Sequence, residues 1–132
     1  MITIYGWLEI RPTFLDEDLH PEIDEERINH EVERLVSELK HTKLNIIEKN
    51  YTRFIQFGVM ENHKTDRTEE IIGLFEHISR IATGSYGLLY FLDDEDKTYN
   101  DEFRVLVSKK GVTEWKKDDF FNPCSKMIED CN

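Results

Sequence analysis

Gly-Ser-Tyr-Gly-Leu-Leu-Tyr-Phe-Leu-Asp-Asp-Glu-Asp, at positions 84–96, is the stretch of this sequence that decides the fold. Its first residue, Gly84, follows an amphipathic run and is predicted to be the left-handed residue that ends a helix. The nearly continuous apolar run at 86–92 predicts a strand buried on both faces, and therefore a central position in a sheet. The acids at 93–96 predict a solvated tip that this strand holds in place.

The sequence before this segment predicts strands and helices in alternation. Alternating apolar residues over 2–10 predict a first strand. Apolar residues at helical spacing then predict a helix over about 27–40. Two further strands are predicted at 43–49 and 52–61, joined by a turn at Asn50-Tyr51.

A second helix and a closing hairpin complete the predicted elements. Asp66-Arg67-Thr68-Glu69 has the form of a capping box, which predicts a helix start there. Alternation over 102–108, followed by a tight turn at 109–111 leading into 112–116, predicts the hairpin. The order βαββαβββ predicts an α+β fold. Its mostly antiparallel sheet would have about six strands, with both helices on one face and a ferredoxin-like core extended by a hairpin.

The chain of 132 residues suits a single domain, predicted to span 1–132. Tyr5, Trp7 and Trp115 are predicted to lie on the sheet face opposite the helices. Residues 118–132 are predicted to form a C-terminal tail that packs on this face of the sheet. The alternative is an exposed aromatic platform.

The composition favours a basic protein partner. Seventeen basic residues against 28 acidic ones give a net charge of −11, which repels nucleic acid and anionic membranes. The chain is 39% hydrophobic, which excludes a disordered acidic tail protein. The alternative is that the acidity only keeps the protein soluble.

The sequence predicts a cytoplasmic protein. Its N-terminus alternates like a strand and lacks a basic region followed by an apolar run, so no signal peptide is expected. No window approaches the roughly 20 apolar residues of a membrane span. Cys124 and Cys131 match no zinc or redox spacing and are expected to be reduced thiols.

No metal or cofactor site is predicted. No two histidines stand three or four residues apart, so none form a ligand pair on one helix face, although a zinc site assembled from distant segments remains the alternative. Asp94 and Asp96 open a calcium-loop pattern that fails where Tyr99 replaces glycine and Val105 replaces glutamate. No glycine-rich phosphate loop is present.

Enzyme activity is not expected either. Ser85 precedes a strand instead of following one, and its hydroxyl is expected to satisfy backbone groups at a helix end. Cys124 has no basic neighbour other than Lys126 to activate its thiol. A small hydrolase that uses Cys124 is the alternative class.

Acidic residues cluster in the connection that follows the central strand. They are Asp93, Asp94, Glu95, Asp96, Asp101 and Glu102. Close like charges repel, by roughly a few tenths of a kcal/mol per solvated pair, so their retention suggests a recognition role. A merely solvated hairpin is the alternative. The next hairpin is basic, with Lys109, Lys110, Lys116 and Lys117.

Several motifs follow one another along the chain: Tyr5-Gly6-Trp7-Leu8, the segment 84–90 with the acids 93–96 after it, the strand with Phe103 and Val105, Asp118-Asp119-Phe120-Phe121-Asn122-Pro123-Cys124, and Ile128-Glu129-Asp130. Together they resemble the immunity protein 7 family. The chain departs from the family pattern at Asn122, where serine is usual, and at Lys126, where proline is common.

The resemblance implies a small cytosolic, non-enzymatic protein that protects bacteria from polymorphic toxins, including contact-dependent ones. The motif residues expected to hold the fold are Trp7, Gly84, Ser85, Tyr86, Gly87, Pro123 and Cys124. The candidate toxin-binding residues are Asp93, Asp94, Glu95, Asp96, Asp101 and Glu102, with Asp16, Glu17 and Asp18 as a second acidic contact and Trp115 as the aromatic anchor.

The expected partner is the C-terminal domain of a cognate toxin, often a nuclease and therefore basic. Binding is expected to be one-to-one, by a monomer, without direct contact to nucleic acid or membrane. The alternative function is an acidic adaptor or nucleic-acid mimic that binds a basic host protein. Such an adaptor would bind several basic partners, whereas an immunity protein would hold one.

Overall fold

The computed structural model of the protein describes residues 1–121. Within them, the elements follow the predicted order βαββαβββ. The strands are β1 (Ile2–Ile10), β2 (Ile47–Lys49), β3 (Thr52–Glu61), β4 (Tyr86–Asp93), β5 (Arg104–Lys109) and β6 (Val112–Lys117), and the helices are α1 (Glu25–Ser37) and α2 (Asp66–Ile81). Most of the predicted tail, with Pro123 and Cys124, lies outside the described residues.

The six strands form one antiparallel sheet in the order β2-β3-β1-β4-β5-β6. The order β2-β3-β1-β4 is that of a split βαβ, ferredoxin-like arrangement, and β5 and β6 extend it as a hairpin. β4 pairs with β1 on one side and with β5 on the other. The predicted fold class and the central position of β4 are therefore confirmed.

Both helices pack on one face of the sheet and share a single core with it. Alternate residues of β1, such as Ile4 and Leu8, are buried in this core. Phe57 of β3 meets Phe75 of α2 with 5.9 Å between ring centroids. In the described residues no helix covers the opposite face, which we call the open face.

The predicted element ends differ from the observed ones by a few residues. α1 begins after Asp24, whose carboxylate accepts a hydrogen bond from the Arg27 backbone N–H at 3.0 Å, and it ends at Ser37. α2 is capped by Thr65 and not by Asp66, since the Thr65 N–H donates to the Thr68 hydroxyl at 3.3 Å. The predicted strand at 43–49 shortens to β2, because within this stretch the pairing with β3 covers only 47–49.

Gly84 does not end α2 in a left-handed conformation, so that prediction was wrong. Among the glycines of residues 1–121, only Gly111 has a positive φ. The structure requires glycine at position 84 for another reason: a Cβ atom there would collide with the backbone carbonyl of Thr13. The residue is thus needed where the segment after β1 crosses the start of β4.

Both predicted hairpin turns are present, but the second is Lys110-Gly111, because Lys109 belongs to β5. Asn50 and Tyr51 have φ angles of 53° and 65°, and Lys110 and Gly111 have φ angles of 50° and 80°. Two-residue turns with both φ angles positive match the twist of antiparallel strands. The second turn places Lys109 opposite Val112 and so fixes the register of β6.

This register overturns the predicted position of Trp115. Tyr5 and Trp7 lie on the open face as predicted, but Trp115 pairs with Leu106, whose side chain is in the core on the helix side. Paired residues of adjacent strands share a sheet face. Trp115 therefore lies on the helix side of the sheet, at its β6 edge.

Candidate functional site

The predicted acidic tip is the connection from β4 to β5, residues 93–102, which we call the acid loop. Two of its acidic side chains stabilise the loop itself by accepting hydrogen bonds from its backbone. The Asp93 carboxylate accepts a hydrogen bond from the Glu95 N–H at 2.9 Å. Asp96 accepts from the N–H groups of Thr98 at 2.8 Å and Tyr99 at 2.9 Å. These two hydrogen bonds, that of Tyr99 first, hold the pKa of Asp96 below its usual value.

Arg104 fastens the acid loop to the sheet. Its guanidinium group lies 3.9 Å from the Asp96 carboxylate and 4.5 Å from the centroid of the Tyr99 ring, both in the loop. The same group lies 5.2 Å from the Trp115 ring and 5.5 Å from the Phe91 ring, both on the sheet. Cation–π contacts at such distances are attractive. The predicted anchor Trp115 is thus part of the support of the loop.

Three of the six loop acids point into solvent. Asp94, Glu95 and Asp101 are exposed, whereas the other three are half-buried. Asp94 binds the Met1 ammonium group and, chiefly through that hydrogen bond, raises the pKa of the ammonium. Glu95 lies 2.8 Å from Nδ1 of His63. The exposed acids give the loop its negative outer surface.

The second predicted acidic contact is far from the first. Asp16 accepts a hydrogen bond from the Asp18 N–H at 2.9 Å, in the segment between β1 and α1. Glu17 lies beside Glu25, whose pKa is raised by desolvation and then by this neighbouring carboxylate. This segment follows the end of β1, whereas the acid loop lies beside its start. The strand β4, eight residues long, separates those two ends by about 23 Å.

The motif residues Trp7, Gly84, Ser85, Tyr86 and Gly87 come together where β4 begins. The Ser85 hydroxyl is buried and joins the chain after β1, since it accepts from the Arg11 N–H at 3.1 Å and donates to the Arg11 carbonyl at 3.4 Å. The rings of Trp7 and Tyr86 meet edge to face at 5.8 Å. The hydroxyl is thus a structural link, as expected, but the backbone groups that it satisfies belong to Arg11 after β1 and not to a helix end.

Two of the depressions on the open face concern the candidate site. The first, about 520 Å³, is beside the motif residues and is lined in part by Trp7, Tyr86 and Phe14, with Arg11, Lys109 and Lys110 around it. We call it the cationic pocket, after those three basic residues.

The second depression, about 490 Å³, is lined by Thr3, Tyr5, Tyr90, Phe103 and Phe121. The rings of Phe103 and Phe121 are 6.4 Å apart. The described chain therefore ends on the open face.

Sequence reasoning missed Arg104 and the cationic pocket. Arg104 was not singled out, because its role depends on rings that β4, β6 and the loop bring from separate positions. Lys109 and Lys110 were recognised as a basic hairpin, but their position beside Arg11 follows from the pairing of β4 with both β1 and β5. The sequence did contain one indication of the role of Arg104, since this basic residue stands two positions after Glu102, the last acid of the loop.

Two other kinds of feature, a metal site and a membrane-spanning helix, were looked for in the described residues. Within 1–121, no group of three or more histidine, cysteine, aspartate or glutamate side chains is arranged to hold a metal ion. Over the same residues, neither helix has the length and apolar character needed to cross a membrane.

Comparison with known proteins gives one match. The model of the family described as Immunity protein 7 matches residues 1–130, which is nearly the whole chain. No curated protein and no solved structure matches the chain significantly. Membership of this family implies an immunity protein to a bacterial toxin. The chain belongs to the immunity protein 7 family.

Proposed function

We propose that this protein neutralises one cognate bacterial toxin domain by binding it in a one-to-one complex, with the acid loop as the first point of contact. The observation that carries the proposal is the family match over residues 1–130, taken with a loop that presents Asp94, Glu95 and Asp101 to solvent. The protein would act as a binding inhibitor and not as an enzyme, in the cytoplasm.

The proposed toxin domain is a nuclease. A nuclease needs a positive cleft to attract phosphates, and an acidic surface complements such a cleft. Charge complementarity speeds the encounter of two proteins and selects among partners. The net charge of −11 and the six acids of the acid loop support this role.

The structure refines which predicted residues are proposed to touch the toxin. Asp94, Glu95 and Asp101 are the proposed direct contacts, while Asp96 and Trp115 would act by holding the loop in shape. Trp115 is still 38% exposed, so a toxin side chain can reach its edge. Asp16, Glu17 and Asp18 are proposed as a separate contact at the other end of the sheet.

Co-expression tests the proposal. The toxin domain would be taken from the gene immediately upstream, where a large secreted protein with a variable C-terminal domain is expected. Growth should be arrested by the toxin domain alone and restored by this protein, and native mass spectrometry should show one copy of each. An unrelated toxin domain serves as the control and should not be neutralised.

Failure to restore growth, with both proteins present and folded, would rule the proposal out. Binding of several unrelated basic proteins with similar affinity would instead support the acidic adaptor, the alternative suggested by the net charge.

A further inference from the structure

The cationic pocket reverses the charge that dominates the rest of the molecule. Three basic residues surround it, Arg11, Lys109 and Lys110, and all three are exposed. Within residues 1–121 none of them has an ion-pair partner. In a chain of net charge −11, three neighbouring cations outside any such ion pair can attract a negative group of a partner.

Two acids on the open face beside the pocket interact with neighbouring side chains. Hydrogen bonding to Glu9 is the main cause of the raised pKa of Tyr86, and because the tyrosine hydroxyl is neutral, Glu9 keeps its negative charge. Glu114, which pairs with the pocket residue Val107 across the sheet, lies 3.7 Å from the Lys116 ammonium. Within residues 1–121, neither acid forms an ion pair with the three basic residues of the pocket.

The floor of the pocket is apolar and firmly held. Trp7 and Tyr86 pack edge to face, and Phe14 is half exposed beside them. The Ser85 hydroxyl ties this region to the backbone of Arg11. Tryptophan, tyrosine and arginine are the residue types most enriched in the energetically important parts of protein interfaces.

Lys110 occupies an unfavourable backbone conformation next to the pocket. Its φ of 50° lies in the left-handed region, at the first central position of the turn that joins β5 and β6. Asparagine, aspartate and glycine adopt this conformation more easily. The turn itself requires this conformation, and a lysine in place of these residues sets a charge beside the pocket.

We propose that the cationic pocket binds a segment of the toxin that presents a carboxylate next to an apolar or aromatic side chain. The ring floor would take the apolar group and the three cations would take the carboxylate. This inference rests on the proposed function and adds a contact of opposite sign to the acid loop. The two contacts lie at opposite ends of β4, about 23 Å apart, so together they would fix a single docking orientation.

The test uses the full chain and the toxin domain that it protects against in the growth assay. The double variant Lys109→Glu, Lys110→Glu should weaken toxin affinity by about tenfold or more, as expected when charges at a contact are reversed. The matched control is Lys40→Glu, Lys43→Glu, which changes the net charge equally at exposed positions outside the pocket. It should change the affinity by less than about twofold.

A second variant separates binding from folding. Lys110→Asn suits the turn, so its melting temperature should equal or exceed that of the wild type, while its toxin affinity should fall. If the wild type binds the toxin tightly and both pocket variants bind it equally well, the pocket is not a toxin contact, while the proposed function stands. A wild-type protein that does not bind the toxin would overturn both.

Two further outcomes would assign the pocket to another occupant and overturn this inference. The first is a second copy of this chain, which sedimentation of the protein alone would reveal. It is the occupant if the variant Lys109→Glu, Lys110→Glu changes the oligomeric state. Residues 127–130, Met-Ile-Glu-Asp, also combine apolar and acidic groups. If the pocket variant loses stability beyond the control while its toxin affinity stays unchanged, the occupant is the chain itself.

Discussion

Arg104 shows how one side chain can organise a recognition loop. It faces Asp96 and Tyr99 of the acid loop and the rings of Phe91 and Trp115 on the sheet. The planar guanidinium group can stack on rings and pair with a carboxylate at the same time, which an ammonium group does less well. The shape of the acid loop therefore depends on a residue that itself carries positive charge.

Replacing Arg104 should loosen the loop without changing the fold. We expect Arg104→Lys to keep the charge but lose the stacking, and so to lower the free energy of unfolding by about 1 kcal/mol. Hydrogen exchange at the N–H groups of Thr98 and Tyr99 should become faster, since Asp96 would no longer be held. The control is Lys97→Ala in the same loop. Equal exchange in both variants would contradict this role.

Asp96 should make the loop sensitive to acid. The pKa of Asp96 is lowered in the folded protein. The ionised carboxylate therefore stabilises the fold fully at a pH above the pKa of aspartate in the unfolded chain, about 3.9. The effect is lost as the pH falls through the lower folded value. NMR titration of the carboxyl carbon should show the depressed pKa, and Asp96→Asn should remove that part of the acid dependence. A normal pKa for Asp96 would contradict the hydrogen bonding described for the loop.

At the scale of the elements, the strand pair β1–β4 and the contact between α2 and β5 hold the site in position. The existence and order of these elements follow from apolar periodicity, because periodicity reports which residues are buried. Their ends do not, since the caps at Asp24 and Thr65 depend on local hydrogen bonds. The sheet face of Trp115 was predicted wrongly, because the register of β6 against β5 depends on which residues form the turn between them.

Two glycine substitutions should have opposite effects. A Cβ atom at Gly87 would collide with the Trp7 carbonyl across β1 and β4, whereas one at Gly73 in α2 meets nothing within 4 Å. We expect Gly87→Ala to destabilise the protein by about 1–3 kcal/mol. Gly73→Ala should stabilise it by about 0.5–1 kcal/mol. Denaturant unfolding measures both, and a neutral Gly87→Ala would show that the strands are not this close.

Removing either hydroxyl of the buried pair between α2 and β5 should lower the free energy of unfolding, but by different amounts. Ser108 donates to Ser79, and Ser79 donates to the Phe75 carbonyl at 2.7 Å. Ser79→Ala would leave the Ser108 donor buried without this partner, at a cost of about 1–3 kcal/mol, whereas Ser108→Ala leaves the Ser79 donor satisfied. The free energy of unfolding should therefore fall more in Ser79→Ala. Equal losses would contradict the described donor direction.

At the scale of the whole molecule, an acidic and a basic contact lie at opposite ends of the sheet, and the acids 16–18 follow β1 at the same end as the basic contact. The acid loop lies at the end where β1 starts, and the cationic pocket lies at the end where β1 finishes. The acidic tip was predictable, because its residues are adjacent in sequence. The pocket was not, because Arg11, Lys109 and Lys110 meet only through strand pairing. Contacts between distant segments are the part of this site that one sequence does not reveal.

The central claim is that the acid loop guides the protein to its toxin. The most direct test is the association rate with the toxin domain, measured by stopped flow as a function of salt. The variant Asp94→Lys, Asp101→Lys reverses two exposed loop acids, and Glu26→Lys, Glu48→Lys is a control with the same change in net charge at exposed positions elsewhere.

We predict that the loop variant associates about tenfold more slowly than the wild type at low salt and depends less on salt. The control should retain most of the wild-type rate and salt dependence. Equal rates and equal salt dependence for the loop variant and the control would contradict the claim that the acid loop is the toxin-binding contact.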